Sequence, residues 1–269
     1  MRHLVLMAAF AQFAFSGPIL QVATSTREFG TVDAATGAFT LIGTTAPTSV
    51  GLGQSNSGHP FFVDDVSNLH RINPSTAGLT LAGGTGTSLS VAAGFAPGVL
   101  FGLDYSNNLY AVNTSTGAAS LVGATGIPAI GLQDTFSNAL AGDGVNLYYI
   151  FELAGSANIA SSLYRLNTAT GAATLVGLTG AAQVGGAGFG DGALYAFTKS
   201  SRQIRSVNLG TGASTLLASY AGQSSGEIWA ASQPLPEPAT VALVVLGLGL
   251  FVLRHVYGVA TADRRPPST

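Results

Sequence analysis

One pattern recurs five times along this chain, so any fold it adopts has to repeat with it. The clearest copies are Asp33-Ala-Ala-Thr-Gly37-Ala-Phe-Thr-Leu-Ile-Gly43, Asn113-Thr-Ser-Thr-Gly117-Ala-Ala-Ser-Leu-Val-Gly123 and Asn167-Thr-Ala-Thr-Gly171-Ala-Ala-Thr-Leu-Val-Gly177. A fourth copy runs Asn208-Leu-Gly-Thr-Gly212, and a fifth runs Asn73-Pro-Ser-Thr-Ala-Gly78 with its glycine displaced by one. From Asp33 through Asn73, Asn113 and Asn167 to Asn208 the steps are 40, 40, 54 and 41 residues. The period is therefore about 40, with one insertion of about 14.

Each copy reads as a β-hairpin. The leading Asp or Asn bonds backbone amides two residues on, and the glycine takes the positive φ that closes a short loop with a bulge. On this reading Asp33, Gly37, Asn73, Gly78, Asn113, Gly117, Asn167, Gly171, Asn208 and Gly212 are the turn residues. Upstream of the hairpins lie further short apolar strands, such as Pro60-Phe-Phe-Val-Asp64, Val99-Leu-Phe-Gly-Leu103, Asn146-Leu-Tyr-Tyr-Ile150 and Ala193-Leu-Tyr-Ala-Phe197. Before those come glycine-rich segments such as Val91-Ala-Ala-Gly-Phe95 and Val184-Gly-Gly-Ala-Gly-Phe189. Four strands in about 40 residues is the size of a propeller blade. A β-solenoid fits less well, because its usual periods are shorter.

Ring closure supplies a check. The first hairpin has only Arg27-Glu-Phe-Gly-Thr-Val32 before it, whereas Gly226-Glu-Ile-Trp-Ala-Ala231 follows the last hairpin without a hairpin of its own. Joining the two ends adds about one more period. The expectation is an all-β, five-bladed β-propeller whose last strand completes the blade opened by the N-terminus, which leaves no exposed edge. One C-terminal membrane helix is expected beside it.

Only 8% of the residues are charged, against about 25% in an ordinary soluble domain. A net charge of -2 gives none of the basic surface that nucleic acid requires. The absence of cysteine removes disulfides, thiolate nucleophiles and cysteine metal sites together.

The two ends read as addresses. Met1-Arg2-His3, the apolar run Leu4 to Phe15 and the small residues before a Ser16/Gly17 cut have the parts of a secretory signal. At the other end, Ala239 to Leu253 is fifteen residues without a charge, preceded by Pro236-Glu237-Pro238 and followed by Arg254. At about 1.5 Å per residue that run spans about 22 Å, so Arg254 and His255 would snorkel while residues 256–260 extend the span. Arg254, Arg264 and Arg265 place the C-terminus in the cytoplasm and the repeat body outside.

The string from Pro236 to Arg254 resembles the PEP-CTERM sorting signal of bacterial surface proteins. The resemblance implies a membrane-engaged tail, processing by an exosortase-type enzyme and association with exopolysaccharide. It departs from the pattern in its diluted basic cluster and in the extra tail from Val256 to Thr269. The repeat itself is similar to the Leu-Tyr-x-Ile-Asp-x-x-Thr-Gly-x-x-Thr-x-Val-Gly units of secreted bacterial propeller domains, a family without an agreed activity. The expected organisation is a signal peptide over 1–16, a propeller over 17–233 and a Pro-Glu-Pro linker over 234–238. A transmembrane sorting helix over 239–260 and a tail over 261–269 complete it.

Candidate chemistry is sparse. Glycan cleavage needs converging carboxylates, yet the four glycine-rich segments expected along the channel hold only Asp134. Asp65 and Asp104 occupy equivalent turns, and Asp191 lies in Gly190-Asp-Gly192, so all three read as turn residues. His59 and His70 lack a third nitrogen or sulfur ligand. The turns 64–68 and 104–108 offer oxygen atoms without the spacing of a calcium loop. No metal and no cofactor is expected. Gly83-Gly-Thr-Gly86 lacks the lysine and helix of a phosphate loop and reads as a strand connection. Tyr105, Tyr110, Tyr148, Tyr149, Tyr164 and Tyr195 could stack on sugars, but most alternate with aliphatics as core residues do. The insertion around Glu152 to Ser161 is where a binding loop would grow.

The function expected is an exported surface protein whose propeller is a non-catalytic binding or structural module of the envelope or exopolysaccharide matrix. Its partners would be the membrane, the processing enzyme, and a polysaccharide or envelope protein. The alternative is a secreted glycan-active hydrolase or lyase on the same scaffold.

Overall fold

The computed structural model describes residues 17–53, 60–96, 98–129, 137–152 and 160–232. These belong to the first of the two units into which the chain divides, Met1–Pro234 and Leu235–Thr269. The signal segment 1–16, His59, Asp134, Pro236, Glu237, Pro238, the span Ala239 to Leu253 and Arg254 all lie outside the described residues. Among the described residues no helix is long and apolar enough to cross a membrane.

Twenty strands form among the described residues, in runs of four that meander antiparallel. The first run is β1 Ile19–Thr24, β2 Glu28–Asp33 and β3 Phe39–Thr44, joined by β20 Ile228–Ser232 in the order β20-β1-β2-β3. Next come β4 Ser49–Gly53, β5 Phe61–Asp64, β6 Asn68–Ile72 and β7 Leu79–Gly84. They are followed by β8 Leu89–Ala96, β9 Val99–Asp104, β10 Asn108–Val112 and β11 Ala119–Ala124. These two runs merge into one eight-stranded sheet through a short parallel pairing of β4 with β8, Gly51 opposite Ala92 and Leu52 opposite Ala93. Gly51 makes this approach possible, since a Cβ there would lie 2.3 Å from the Ala92 carbonyl oxygen. The remaining sheets are β12 Ser137–Gly142, β13 Leu147–Glu152, β14 Ser162–Leu166 and β15 Ala173–Leu178, then β16 Val184–Gly190, β17 Ala193–Thr198, β18 Gln203–Val207 and β19 Ser214–Ser219.

The first strands of the runs lie side by side in a closed cycle: β4 against β8, β8 against β12, β12 against β16, β16 against β20, and β20 back against β4. They are the small-residue strands, and they have to be, because only small side chains fit where strands from successive sheets converge. Apolar clusters fill the wedges between sheets. Val91, Leu103 and Leu109 meet Leu140, Tyr149 and Phe151 across one junction, and Leu20, Val22 and Val32 meet Phe197, Ile204 and Tyr220 across another.

The N-terminal sheet differs from the sequence expectation. The strand upstream of Arg27 is present as β1, whose Ile-Leu-Gln-Val-Ala-Thr run is rich in the residues that pleated strands favour. What the N-terminus lacks is the innermost strand, and β20 supplies it by pairing Gln21 with Ser232 and Val22 with Ala231. Glu28 secures the seam, accepting hydrogen bonds from the backbone amides of Ser225 at 3.0 Å and Gly226 at 3.4 Å. Tyr220 adds a buried link, its hydroxyl donating to the Thr198 carbonyl at 2.7 Å and accepting from the Ile228 amide at 3.3 Å.

Candidate functional site

The signature turns sit between the third and fourth strands of each run. Asp33 Oδ1 accepts from the amides of Ala35 and Thr36, Asn113 Oδ1 from Ser115 and Thr116, Asn167 Oδ1 from Ala169 and Thr170, and Asn208 Oδ1 from Gly210 and Thr211. Gly37, Gly117, Gly171 and Gly212 have φ values of 77°, 83°, 83° and 80°. The copy at Asn73 departs from this. Ala77, not Gly78, holds the left-handed position with φ 60°, while Asn73 still accepts from the Ser75 amide. The displaced glycine therefore stands one residue beyond the point of strain, and Ala77 bears the cost that glycine would avoid.

At three junctions the turn glycine meets the glycine that ends the preceding copy. A Cβ on Gly117 would lie 2.4 Å from the Gly83 carbonyl oxygen, one on Gly171 2.5 Å from that of Gly123, and one on Gly212 2.7 Å from the Gly177 carbonyl carbon. At these three junctions the two glycines of the motif, in successive copies, are thus the contact by which neighbouring sheets approach, whereas a Cβ on Gly37 would meet the Ser219 carbonyl oxygen at 2.1 Å and one on Gly43 the Thr76 carbonyl oxygen at 2.9 Å.

Because strands alternate in direction, these turns close the end of the sheets where the inner strands finish. A cavity opens at the opposite end, where the inner strands begin. There the same irregularity recurs in four of them. Val50 is skipped between Ser49–Asp64 and Gly51–Val63, Ser90 between Leu89–Asp104 and Val91–Leu103, and Gly185 between Val184–Thr198 and Gly186–Phe197. Trp229 is skipped where β20 meets β1. A β-bulge leaves one residue unpaired and re-aims side chains. All four skipped residues line the cavity.

The cavity has a volume of about 490 Å³, within the range of small-molecule sites. Its wall combines hydrogen-bonding groups from Ser49, Ser90, Ser137, Asn138, Gln183 and Ser200 with the rings of Tyr105 and Trp229 and the charges of Asp65, Lys199 and Glu227. Several are held from behind. Asn138 Nδ2 donates to Ser90 Oγ at 3.2 Å, Ser200 Oγ donates to Gln183 Oε1, and the Gln183 amide donates to Glu152 Oε2. Trp229 Nε1 donates to Glu227 Oε2 at 3.3 Å, which fixes the edge of the indole. Lys199 Nζ stands 5.7 Å from the centre of the same ring. Burial lowers the Lys199 pKa below its ordinary value, and the charges of Glu227 and Glu152 only partly oppose this.

Asp64, not Asp65, is the structural equivalent of Asp104. Asp104 Oδ1 accepts from the amides of Ser106 and Asn108, and Oδ2 accepts from Asn108 Nδ2 and the Tyr110 hydroxyl. Asp64 does the same toward Val66 and Asn68, with His70 Nε2 at 2.8 Å where the other copy has tyrosine. Asp65 corresponds to Tyr105, and both line the cavity. The two adjacent aspartates at 64 and 65 hide this one-residue offset in the sequence. Asp191 has φ 47° in the turn before β17. Tyr148, Tyr149 and Tyr195 are buried. The insertion leaves from Glu152, and residues 153–159 lie outside the described residues. Among the described residues no group of three or more His, Cys, Asp or Glu side chains is placed to hold a metal.

The residues that sequence reasoning passed over are Glu227, Trp229, Lys199 and Gln183. In the sequence Glu227 and Trp229 read only as part of the strand that follows the last hairpin. Alignment of the strand starts by repeat would have placed Trp229 beside Val50 and Ser90.

No family model matches the sequence, and no curated protein does. Solved structures do. A chain of a nidogen/laminin complex superposes with a TM-score of 0.54 at 10% identity, over 81% of this chain and 99% of its own length. A protein of unknown function from Bacteroides thetaiotaomicron superposes with a TM-score of 0.51 at 11% identity, over 75% of this chain and 57% of its own. Both similarities are to β-propellers, and the chain has a β-propeller fold.

Proposed function

We propose that this protein is an exported, surface-displayed five-bladed propeller that binds polysaccharide of the envelope or matrix, without cleaving it, at the mouth formed by the bulged starts of its inner strands. The count of five is supported by the closed cycle β4, β8, β12, β16, β20. Export and sorting rest on the terminal segments and their resemblance to a signal peptide and a PEP-CTERM tail.

The observation that carries the binding reading is the composition of the mouth. The rings of Tyr105 and Trp229 line it, and serine, asparagine and glutamine side chains surround them. Aromatic bodies and closely spaced hydrogen-bonding groups together are what a sugar ring, apolar on its C–H face and polar at its edge, requires. The position supports it further, since the side chains converge from separate strands of a rigid ring.

The test is calorimetric titration of the full chain with a panel of oligosaccharides, beside Trp229→Ala and Asn138→Ala. Binding by the parent chain with a loss of about ten-fold or more in each variant is expected. Release of new reducing ends or unsaturated sugars would replace this reading with the glycan-active enzyme. Peptide mapping of the native C-terminus tests the sorting part. An end near Pro236 to Pro238 is expected, and an end at Thr269 would overturn it.

A further inference from the structure

We propose that the sugar taken at this mouth carries an acetamido group, as an N-acetylated hexosamine does, and that Asn138 and Gln183 read its amide. Asn138 accepts from the amide N–H, and Gln183 donates to the amide carbonyl. This rests on the glycan-binding reading and names the class of sugar within it. Both side chains are amides whose polarity is fixed by what stands behind them. Ser90 Oγ donates to the Leu103 carbonyl at 3.1 Å, so toward Asn138 it only accepts, and the Asn138 atom 3.2 Å from it is Nδ2. The atom that Asn138 keeps for the cavity is therefore Oδ1, an acceptor. Ser200 Oγ donates to Gln183 Oε1, so the atom that Gln183 keeps for the cavity is Nε2, a donor. The two stand at the starts of neighbouring inner strands, Asn138 in β12 and Gln183 just before β16, and both line the cavity.

The backbone marks Gln183 as a placed residue. Its φ of 56° lies in the left-handed region, where glycine would sit with less strain. It is held there from both sides: its amide donates to Glu152 Oε2, and its carbonyl accepts from the Lys199 amide at 2.8 Å. Glu152 is itself buried and accepts from Ser161 Oγ at 3.1 Å. A strained glutamine with its amide in a cavity is accounted for by what the side chain binds, since the turn alone would be served by glycine. A sugar hydroxyl turns its hydrogen to suit either kind of partner, so a fixed acceptor and a fixed donor do not select for it. A secondary amide has one N–H and one C=O that point away from each other, and it needs one acceptor and one donor from separate walls. Val50 and Val91, in the same lining, supply apolar surface for the acetyl methyl.

The experiment is calorimetry of the full chain with an N-acetylglucosamine oligomer and with the glucosamine and glucose oligomers of the same length and linkage. We expect the N-acetylated oligomer to bind at least about ten-fold tighter than either of the others, since only it pairs both wall amides. Gln183→Glu keeps the shape and the acceptor for Ser200 but removes the donor. It should reduce the preference for the N-acetylated over the glucose oligomer to about two-fold or less. Equal or tighter binding of the glucosamine or glucose oligomer by the parent chain would overturn the acetamido assignment and leave the glycan reading standing. Binding of none of the three would also overturn the assignment, and silence of the wider oligosaccharide panel as well would overturn the glycan reading. A preference that survives Gln183→Glu undiminished would overturn the role of Gln183.

Discussion

Gly117→Ala separates two costs that the repeat motif combines. Gly117 has φ 83°, and a Cβ there would meet the Gly83 carbonyl oxygen at 2.4 Å, so alanine both strains its own backbone and forces two sheets apart. Gly126 is the control: its φ is 77°, but no atom lies within 4 Å of a Cβ built on it. Left-handed backbone costs a non-glycine residue about 1–2 kcal/mol, which is the whole effect expected for Gly126→Ala. Overpacking against a backbone that cannot rotate away adds about 1–3 kcal/mol, giving about 2–5 kcal/mol for Gly117→Ala. At about 2–4 °C per kcal/mol for a domain of this size, Gly126→Ala should lower the midpoint by about 2–8 °C. Gly117→Ala should lower it by about 2–12 °C more. Thermal unfolding of the two variants side by side, followed by circular dichroism, is the assay. Equal midpoints would refute the claim that the motif's second role is to bring neighbouring sheets together.

Asp104→Ala should cost about 1.5–3 kcal/mol, since backbone amides lose a carboxylate partner, and should leave ligand binding unchanged. Asp65→Ala should do the reverse, shifting stability by about 0.5 kcal/mol or less and weakening binding; chemical denaturation with calorimetry on both variants would expose a mistaken offset if the effects were exchanged. Tyr220→Phe strands the Thr198 carbonyl and the Ile228 amide in a buried seam, so a loss of about 1–3 kcal/mol is expected, and an unchanged denaturation midpoint would contradict the role of that link. Burial would raise the pKa of Glu28, but hydrogen bonds from Ser225, Gly226 and Thr26 outweigh it and hold the carboxyl below 4.5. The stability this contributes is fully present above pH 4.5 and is lost as pH falls through the depressed folded-state value. The midpoint gap between the parent and Glu28→Gln should therefore be constant from neutral pH to about 4.5 and close below it; a gap undiminished at about pH 2 would refute this.

The repeat made the strands legible because each copy states its own period: an Asx residue, a glycine and an alternating apolar strand recur at nearly fixed spacing. Where a copy drifts, the reading slips by one residue, as at Gly78 and Ala77 or at Asp65 and Asp64. The second slip is invisible in a string because two adjacent aspartates suit the turn equally well, and the first because glycine draws the assignment although Ala77 holds the left-handed position. The strand β1 was missed for another reason. It has no hairpin signature of its own, and its partner on the inner side comes from more than 200 residues away in the chain. The mouth was the least legible feature. Four of its residues come from bulges, and a bulge has no residue type: Val50, Ser90, Gly185 and Trp229 share a position but no chemistry. The motif most conspicuous in the sequence closes the opposite end of the sheets, where its work is turn geometry and close approach.

Trp229 is the chain's one tryptophan, beside eight tyrosines, so emission excited at the red edge, where only indole absorbs, reports on the mouth. Titrating the full chain with oligosaccharides found to bind by calorimetry, the account predicts a saturable change in Trp229 emission with the same midpoint as the heat of binding. An emission spectrum that stays constant while heat is released would place the ligand elsewhere on the propeller and contradict the site.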